Sequence, residues 1–431
     1  MTNDTPKTNY RWVVVALLFF ATTINYLDRQ VIGLLKPTLE KEFNWSEQDY
    51  KNMVIAFQVA YALGLVLFGN FIDKIGTKFG YTISLIVWSV AAMAHALAKS
   101  TLGFGAARAS LGLGESGNFP AAIKVVAEWF PKKERALATG IFNSGANIGA
   151  VVAPVLVPWI LGVYGWQMAF IITGAIGFVW LVFWIILYEI PTRHKKINAA
   201  EVAYIHSDNE DVEVAEAPEA KVKWVELLGI RQTWTFVVGK FLTDPIWYFF
   251  LFWLPSYFST TFKLDLSKPS LPLVLVYTAT TIGSIGGGFL SSWFIKSGMP
   301  IFKARKTAMF IFALCVLPIF AARYAGNIWQ AVGLIGLAAA AHQAWSANIF
   351  TTASDMFPKR AVSSVVGIGS MAGSVGGIVF PFFIGWVLQS AKDAGNITTG
   401  YNIIFSVCAC AYLVAWLLMH LLSPRMKVVK L

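Results

Sequence analysis

Twelve apolar runs recur along this 431-residue chain, each close to the ~20 residues a helix needs to cross a bilayer. They cover roughly 12–35, 50–72, 79–99, 101–125, 137–163, 166–188, 233–258, 272–295, 304–325, 328–350, 363–390 and 399–422. A barrel strand needs only about 10 residues, so helices are the form in which runs this long can satisfy their backbone in lipid. Only 13% of residues are charged and 57% are apolar, against about 25% charged in a soluble domain. The apolar side chains must therefore face lipid as well as a core, and the expected fold is an all-α membrane protein. No small-residue cleavage site follows the first run, which reads as an uncleaved span rather than a signal peptide. Cys315, Cys408 and Cys410 lie inside apolar runs, with neither disulfide nor zinc-site spacing, and read as packing residues.

An even number of spans puts both termini on one side. That side collects 22 Lys and Arg residues, from Lys7 and Arg11 to Lys427 and Lys430; the other collects 8, and four lie within runs. Basic loops stay cytoplasmic, so both termini are expected in the cytoplasm, with the chain multi-pass in the cell inner membrane. The same clustering accounts for the net charge of +11 without nucleic acid as a partner. One long connection, 189–232, is acidic in its middle (Asp208, Glu210, Asp211, Glu213, Glu216, Glu219) and expected to be disordered there, with a short surface helix around 193–205. It separates an N-terminal six-helix bundle, 1–188, from a C-terminal one, 233–431.

The halves resemble each other. An offset of 227 pairs Phe130-Pro131-Lys132 with Phe357-Pro358-Lys359, Gly140 with Gly367, Gly149 with Gly376, Pro154 with Pro381 and Trp159 with Trp386. Agreement at one register, in residues as constrained as Gly, Pro and Trp, implies a parallel six-plus-six repeat. Transporters built from such repeats place substrate between two halves that rock.

Gly69-Asn70-Phe71-Ile72-Asp73-Lys74-Ile75-Gly76-Thr77-Lys78, after the second run, resembles the G-x-x-x-D-[RK]-x-G-x-[RK] loop of the major facilitator superfamily. Its glycines allow close helix approach and a tight turn. Its charges, Asp73, Lys74 and Lys78, are expected to latch helix ends and, with Gly69, Gly76 and Arg135, to take part in gating. Asn25-Tyr26-Leu27-Asp28-Arg29, the Arg108 to Pro120 stretch, Glu128-Trp129-Phe130-Pro131 and Glu134-Arg135 resemble the anion:cation symporter family within that superfamily. Gly239-Lys240-Phe241-Leu242-Thr243-Asp244-Pro245-Ile246-Trp247 and His342-Gln343-Ala344-Trp345-Ser346-Ala347-Asn348 are most similar to hexuronate:proton symporters. The resemblance implies a major facilitator fold of twelve transmembrane helices and proton-coupled uptake of a sugar acid.

Ionisable groups inside spans are costly to bury, and each is a functional hypothesis by default. Here they include Asp28 and Arg29, Arg108 and Glu115, and Lys240 and Asp244. Arg108 and Glu115 lie two turns apart on one helix face, about 10 Å along the axis, too far to pair directly. Lys240 and Asp244 have the i,i+4 spacing of an ion pair. By the resemblance, Asp28 and Glu115 take protons, and Arg29 and Arg108 serve the substrate carboxylate or the coupling relay. A guanidinium suits a carboxylate because its fork gives two parallel hydrogen bonds. The expected cycle has protonation releasing Arg108 from an internal carboxylate so that the substrate anion can pair with it.

A sugar acid needs cations, hydroxyl partners and an aromatic face. The candidates are Tyr26, Tyr61, Lys240, Asp244, His342, Trp345, Asn348 and Ser370. His342 and Trp345 share a helix face while Gln343 points away from Trp345, so His342 is the one expected to face the cavity. Ser370 stands where galactonate-type relatives carry asparagine, which argues against galactonate. Protons are the coupling ion; no metal site or other cofactor is expected, and the protein is expected to be a monomer. The rival readings are a carrier of galactonate, glucarate or another organic anion, or a membrane sensor. An enzyme is disfavoured because neither a metal-ligand cluster nor a nucleophile motif is present.

Overall fold

The computed structural model describes residues 7–207, 223–264 and 271–429; the acidic stretch from Asp208 to Glu219 lies outside the described residues. The described chain forms α1 (Arg11–Phe43), α2 (Glu47–Ile75), α3 (Thr77–Ala94), α4 (Thr101–Glu115), α5 (Asn118–Trp129), α6 (Lys132–Tyr164), α7 (Trp166–Leu187), α8 (Ala199–Ile205), α9 (Arg231–Phe252), α10 (Leu254–Phe262), α11 (Leu271–Lys296), α12 (Ile301–Val316), α13 (Ile328–Met356), α14 (Val362–Asp393) and α15 (Ile397–Leu422). Short 3-10 turns join several of them, and no strand occurs among the described residues.

Nine of the helices described, some with a 3-10 extension, are long and apolar enough to cross a membrane. The apolar runs outside this set have polar or broken middles. The fourth divides at Ser116-Gly117 into α4 and α5, α9 carries Lys240 and Asp244, and α13 carries the His342–Asn348 run. At the end of the molecule away from the termini, α2, α4, α13 and α15 each begin on a side-chain cap: Ser46, Ser100, Asn327 and Asn396 accept from the N–H of Asp49, Gly103, Gln330 and Thr399. Each such cap stabilises its helix by about 1 kcal/mol.

Phe130 and Phe357 both end a helix in extended backbone (φ −127°, ψ 135° and φ −115°, ψ 147°), and Pro131 and Pro358 repeat each other at φ −63° with ψ 150° and 149°. Between the halves, α6 crosses α11 and α14 crosses α2 so closely that glycine alone fits. A Cβ on Gly140 would strike the carbonyl of Ser284, and one on Gly288 the carbonyl of Ala136. At the other crossing, Gly367 meets the carbonyl of Leu65 and Gly69 that of Ser363. Gly140 and Gly367 stand 227 positions apart, and Gly69 and Gly288 stand 219 apart. All four approaches draw the terminus-bearing ends of the two halves together.

A Gly140→Val change is therefore expected to hold these ends apart, biasing the halves by about 1–3 kcal/mol, the usual cost of overpacking. With Cys315, Cys408 and Cys410 removed and a Gln58→Cys probe at the far end of the cavity, an impermeant maleimide should label the Gly140→Val protein more slowly than its parent. Unchanged labelling would show that the crossing does not control closure.

The first part of the connection after α7, up to Ser207, docks against the start of α1 and α6. Glu201 on α8 is fully buried and accepts from Thr8 Oγ1 (2.6 Å), the Tyr10 N–H (3.1 Å) and Arg11 Nη1 (3.1 Å). Arg11 also binds Glu134 (2.9 Å), to which the Tyr204 hydroxyl donates (2.7 Å).

Candidate functional site

Two cavities sharing Tyr26, Arg29, Ala146, Trp247 and Tyr248 form one recess between the halves. The inner part, about 620 Å³, is polar, with Lys240, Asp244, Asn143, Gln343, Ser346 and Ser370 among its walls. The outer part, about 1400 Å³, runs toward the end away from the termini, past Gln30, Tyr50, Phe57, Gln58, Arg108 and Asn147.

Arg29 reaches into the recess from α1. Its Nε and Nη2 each lie 2.9 Å from Glu115 Oε2 on α4. Its guanidinium stands 4.7 Å from the ring centroids of both Tyr26 and Tyr61 and 5.1 Å from that of Phe57. Aromatic faces attract a cation in this geometry and fix its plane. Glu115 is fully buried behind Arg29, and its Oε1 has no hydrogen-bond partner. Asp28, one residue back along α1, lines neither cavity; it is 2% exposed, has no ion-pair partner among the described residues, and lies beside the Thr173 hydroxyl of α7. A buried carboxylate with nothing to pair with is costly as an anion.

Arg108 lies seven residues from Glu115 and does not touch it. Its guanidinium sits 4.4 Å from the Phe57 ring, its Nη1 is 3.5 Å from the Arg29 carbonyl, and its Nε is unpaired. Glu115 thus holds Arg29, and the internal carboxylate expected to hold Arg108 is not found beside it among the described residues. The reason is the helix packing, which carries Arg29 across to α4 while two turns of α4 separate Arg108 from its own glutamate.

The opposite wall comes from α9, α13 and α14. Lys240 Nζ is 2.7 Å from Asp244 Oδ2 and 4.0 Å from the Phe350 ring centroid. Trp247, one turn beyond Asp244 on α9, lies parallel to the His342 imidazole at 5.3 Å, and His342 Nδ1 is hydrogen-bonded to the Tyr412 hydroxyl. Ser370 lines the inner cavity with its hydroxyl unpaired. On α13, His342, as expected, and Gln343, Ser346 and Phe350 line the cavity. Trp345 and Asn348 do not reach it. Trp345 is fully buried, edge-on to Tyr412 at 5.5 Å, and Asn348 donates to the carbonyls of Gly287 and Ala344 (3.0 and 2.9 Å). His342 and Trp345 both touch Tyr412 of α15, but only His342 of the two reaches the cavity, and Gln343 reaches it as well.

Asn143 is a further wall residue. Its Nδ2 donates to Gln343 Oε1 across the halves (2.9 Å). It sits in an apolar run, and the reasoning applied to buried charges would have found it had uncharged amides been included. Trp247 was legible only as part of a motif.

At the terminus-bearing end the recess is closed. Asp73 accepts from Lys124 Nζ (2.8 Å) and from the Ser364 N–H of the other half (2.7 Å). Arg135 donates to Asp355 Oδ1 (3.1 Å) and to the Ser354 carbonyl (2.7 Å) across the halves. Asp355 Oδ2 in turn accepts from Arg305 Nε (3.0 Å), whose Nη2 returns to the Lys132 carbonyl (2.6 Å). Of the other loop residues, Gly76 takes φ +88°, Lys78 pairs with Glu189 at 3.0 Å, and Lys74 is exposed. Arg305 and Asp355, absent from the residues expected to gate, are as central as Arg135.

The sequence model of the Major Facilitator Superfamily matches residues 18–381. The hexuronate transporter of Escherichia coli (strain K12) is 32% identical over 401 residues, 93% of this chain and 90% of that protein. The galacturonate transporter of Dickeya chrysanthemi is 33% identical over 308 residues, 71% of this chain and 89% of that protein. Among solved structures, a proton:xylose symporter, XylE, bound to 6-bromo-6-deoxy-D-glucose aligns with a TM-score of 0.74 at 15% identity, over 97% of each chain.

Proposed function

The chain belongs to the major facilitator superfamily, and from its central recess we propose that it takes up a hexuronate, galacturonate or glucuronate, together with protons across the bacterial inner membrane by alternating access. In this reading it is a monomer of twelve spans in two six-helix bundles with both termini cytoplasmic, as the 22-to-8 distribution of Lys and Arg supports. The recess, closed toward the termini and extended toward the other end, is then the outward-facing form.

The observation that carries the substrate assignment is the pairing of opposed walls across the inner cavity. A caged arginine, Arg29, faces an ion pair, Lys240–Asp244, beside the Trp247 ring. A cyclic uronate carries its carboxylate at one end of a hydroxylated ring, and the two walls suit those two ends. Arg29 takes the carboxylate. Lys240, Asp244, Gln343 and Asn143 take hydroxyls, and Trp247 covers the ring face. Protonation of Glu115 frees Arg29 for the incoming anion, and Asp28 is the second proton site. Arg108, farther out along the recess, draws the anion inward.

Competition against labelled galacturonate uptake in proteoliposomes tests the assignment. Glucuronate should compete, open-chain galactonate and glucarate should compete less well, and neutral galactose should not compete. A Lys240→Gln change should raise the KM for galacturonate at least about tenfold, the loss of one hydrogen bond to a charged group. Full competition by galactonate, or an unchanged KM in that variant, would overturn the hexuronate assignment.

A further inference from the structure

At the terminus-bearing end, α12 and α15 diverge into a groove of about 960 Å³ that shares no lining residue with the central recess. Its wall is aromatic. Trp416 lies 4.8 Å from Phe310 and 5.3 Å from His420, and its indole N–H donates to the Lys306 carbonyl (3.0 Å), which fixes the ring. Exposed leucines flank this wall: Leu314, one turn beyond Phe310 on α12, and Leu417, Leu418 and Leu421 along α15 beside Trp416 and His420. Side chains of this kind face acyl chains.

The mouth of the groove is basic. Lys303 and Arg425 line it and are exposed, and among the described residues neither has an acidic partner. No Asp or Glu lines the groove. Arg425 sits on an anchored lip. Lys306 Nζ donates to the carbonyls of Ser423 (2.5 Å) and Pro424 (2.8 Å), Met426 is buried, and the Val429 N–H donates to the Met356 carbonyl (2.8 Å). An aromatic slot opening onto an aliphatic face, with two unpaired cations at its polar rim, matches a molecule with acyl chains and an anionic head. A soluble anion would leave the slot empty, and a zwitterionic lipid would bring a second cation to the cationic rim.

We propose that the groove between α12 and α15 binds an anionic phospholipid of the leaflet on the side of the termini, its phosphate between Lys303 and Arg425 and an acyl chain along Phe310 and Trp416. Basic pockets between spans on the cytoplasmic side suit such head groups. This rests on the chain spanning a membrane and is independent of its substrate and of proton coupling.

The test is lipid retention by the full chain, extracted from mixed phosphatidylglycerol and phosphatidylcholine bilayers and read by native mass spectrometry. Phosphatidylglycerol should be retained in preference to phosphatidylcholine. Lys303→Gln with Arg425→Gln should weaken that retention about thirtyfold. Lys195→Gln with Lys196→Gln removes the same charge from the exposed connection after α7 and should leave retention unchanged. Soluble glycerol phosphate should not displace the lipid. Equal loss in both double variants would mean diffuse attraction to the membrane surface and would overturn the site. Retention without lipid preference, or displacement by glycerol phosphate, would overturn it too. Because sugar uptake is not the readout, failure here and failure of the hexuronate assignment remain separate results.

Discussion

Arg135→Gln is expected to let the terminus-bearing end of the halves fall open while leaving the protein folded. Asp355 is the hinge of that expectation. It is buried among two guanidiniums, Arg135 from one half and Arg305 from its own, and Arg305 also reaches back to the Lys132 carbonyl. Removing one partner of a buried ion pair costs about 3–5 kcal/mol, because the charge left behind has lost both water and partner. Asp355→Asn leaves two such charges and should lower the melting temperature sharply as well as abolish uptake, so by itself it cannot separate folding from gating. Arg135→Gln keeps the Arg305–Asp355 pair within one half; it removes the tie to Asp355 and Ser354 of the other half together with the bonds to the Phe130 and Ala127 carbonyls of its own. Its melting temperature should fall less than that of Asp355→Asn, and labelling of the Gln58→Cys probe from outside should slow strongly if, as proposed, the opposite end closes when this end opens. Parental labelling rates in Arg135→Gln would mean that the glycine crossings and the Asp73–Ser364 bond hold the closed end without it.

Glu115→Gln is expected to abolish gradient-driven accumulation while sparing exchange. In the geometry observed, Glu115 occupies Arg29, so on the proposed reading a substrate carboxylate competes with it. As the pH falls and Glu115 gains a proton, that competition ends and the substrate should bind more tightly. As the pH rises, affinity should fall, by about tenfold per pH unit for each proton taken up with the anion. Glutamine cannot ionise. The variant should therefore bind galacturonate with a nearly pH-independent affinity, close to that of the parent at low pH, and catalyse counterflow without concentrating substrate against a gradient. Binding measured at two pH values, beside accumulation and counterflow in proteoliposomes, separates the outcomes. Accumulation at the parental level would remove Glu115 from the coupling step, and a parental pH dependence of binding would mean that another group, with Asp28 the first to try, governs Arg29.

Both expectations turn on which partner a buried charge finds, and that division marks how far the sequence could be read. Its helical character, the apolar runs, the loop from Gly69 to Lys78 and the presence of charges within spans were all legible. A span in lipid must satisfy its own backbone, so length, polarity and periodicity speak for each segment separately. The polar middles of α4–α5, α9 and α13 likewise mark segments that face other protein. Partner choice is different. Glu115 pairs with Arg29, 86 positions away, rather than with Arg108 on its own helix, and Arg135 meets Asp355, 220 positions away. Gln343 rather than Trp345 looks into the cavity, although spacing alone describes both faces of α13 equally well. Periodicity states which residues share a face. The rotation of that face and the neighbour it meets depend on how closely helices cross, as at Gly140 and Gly288, and only the packed tertiary structure decides that.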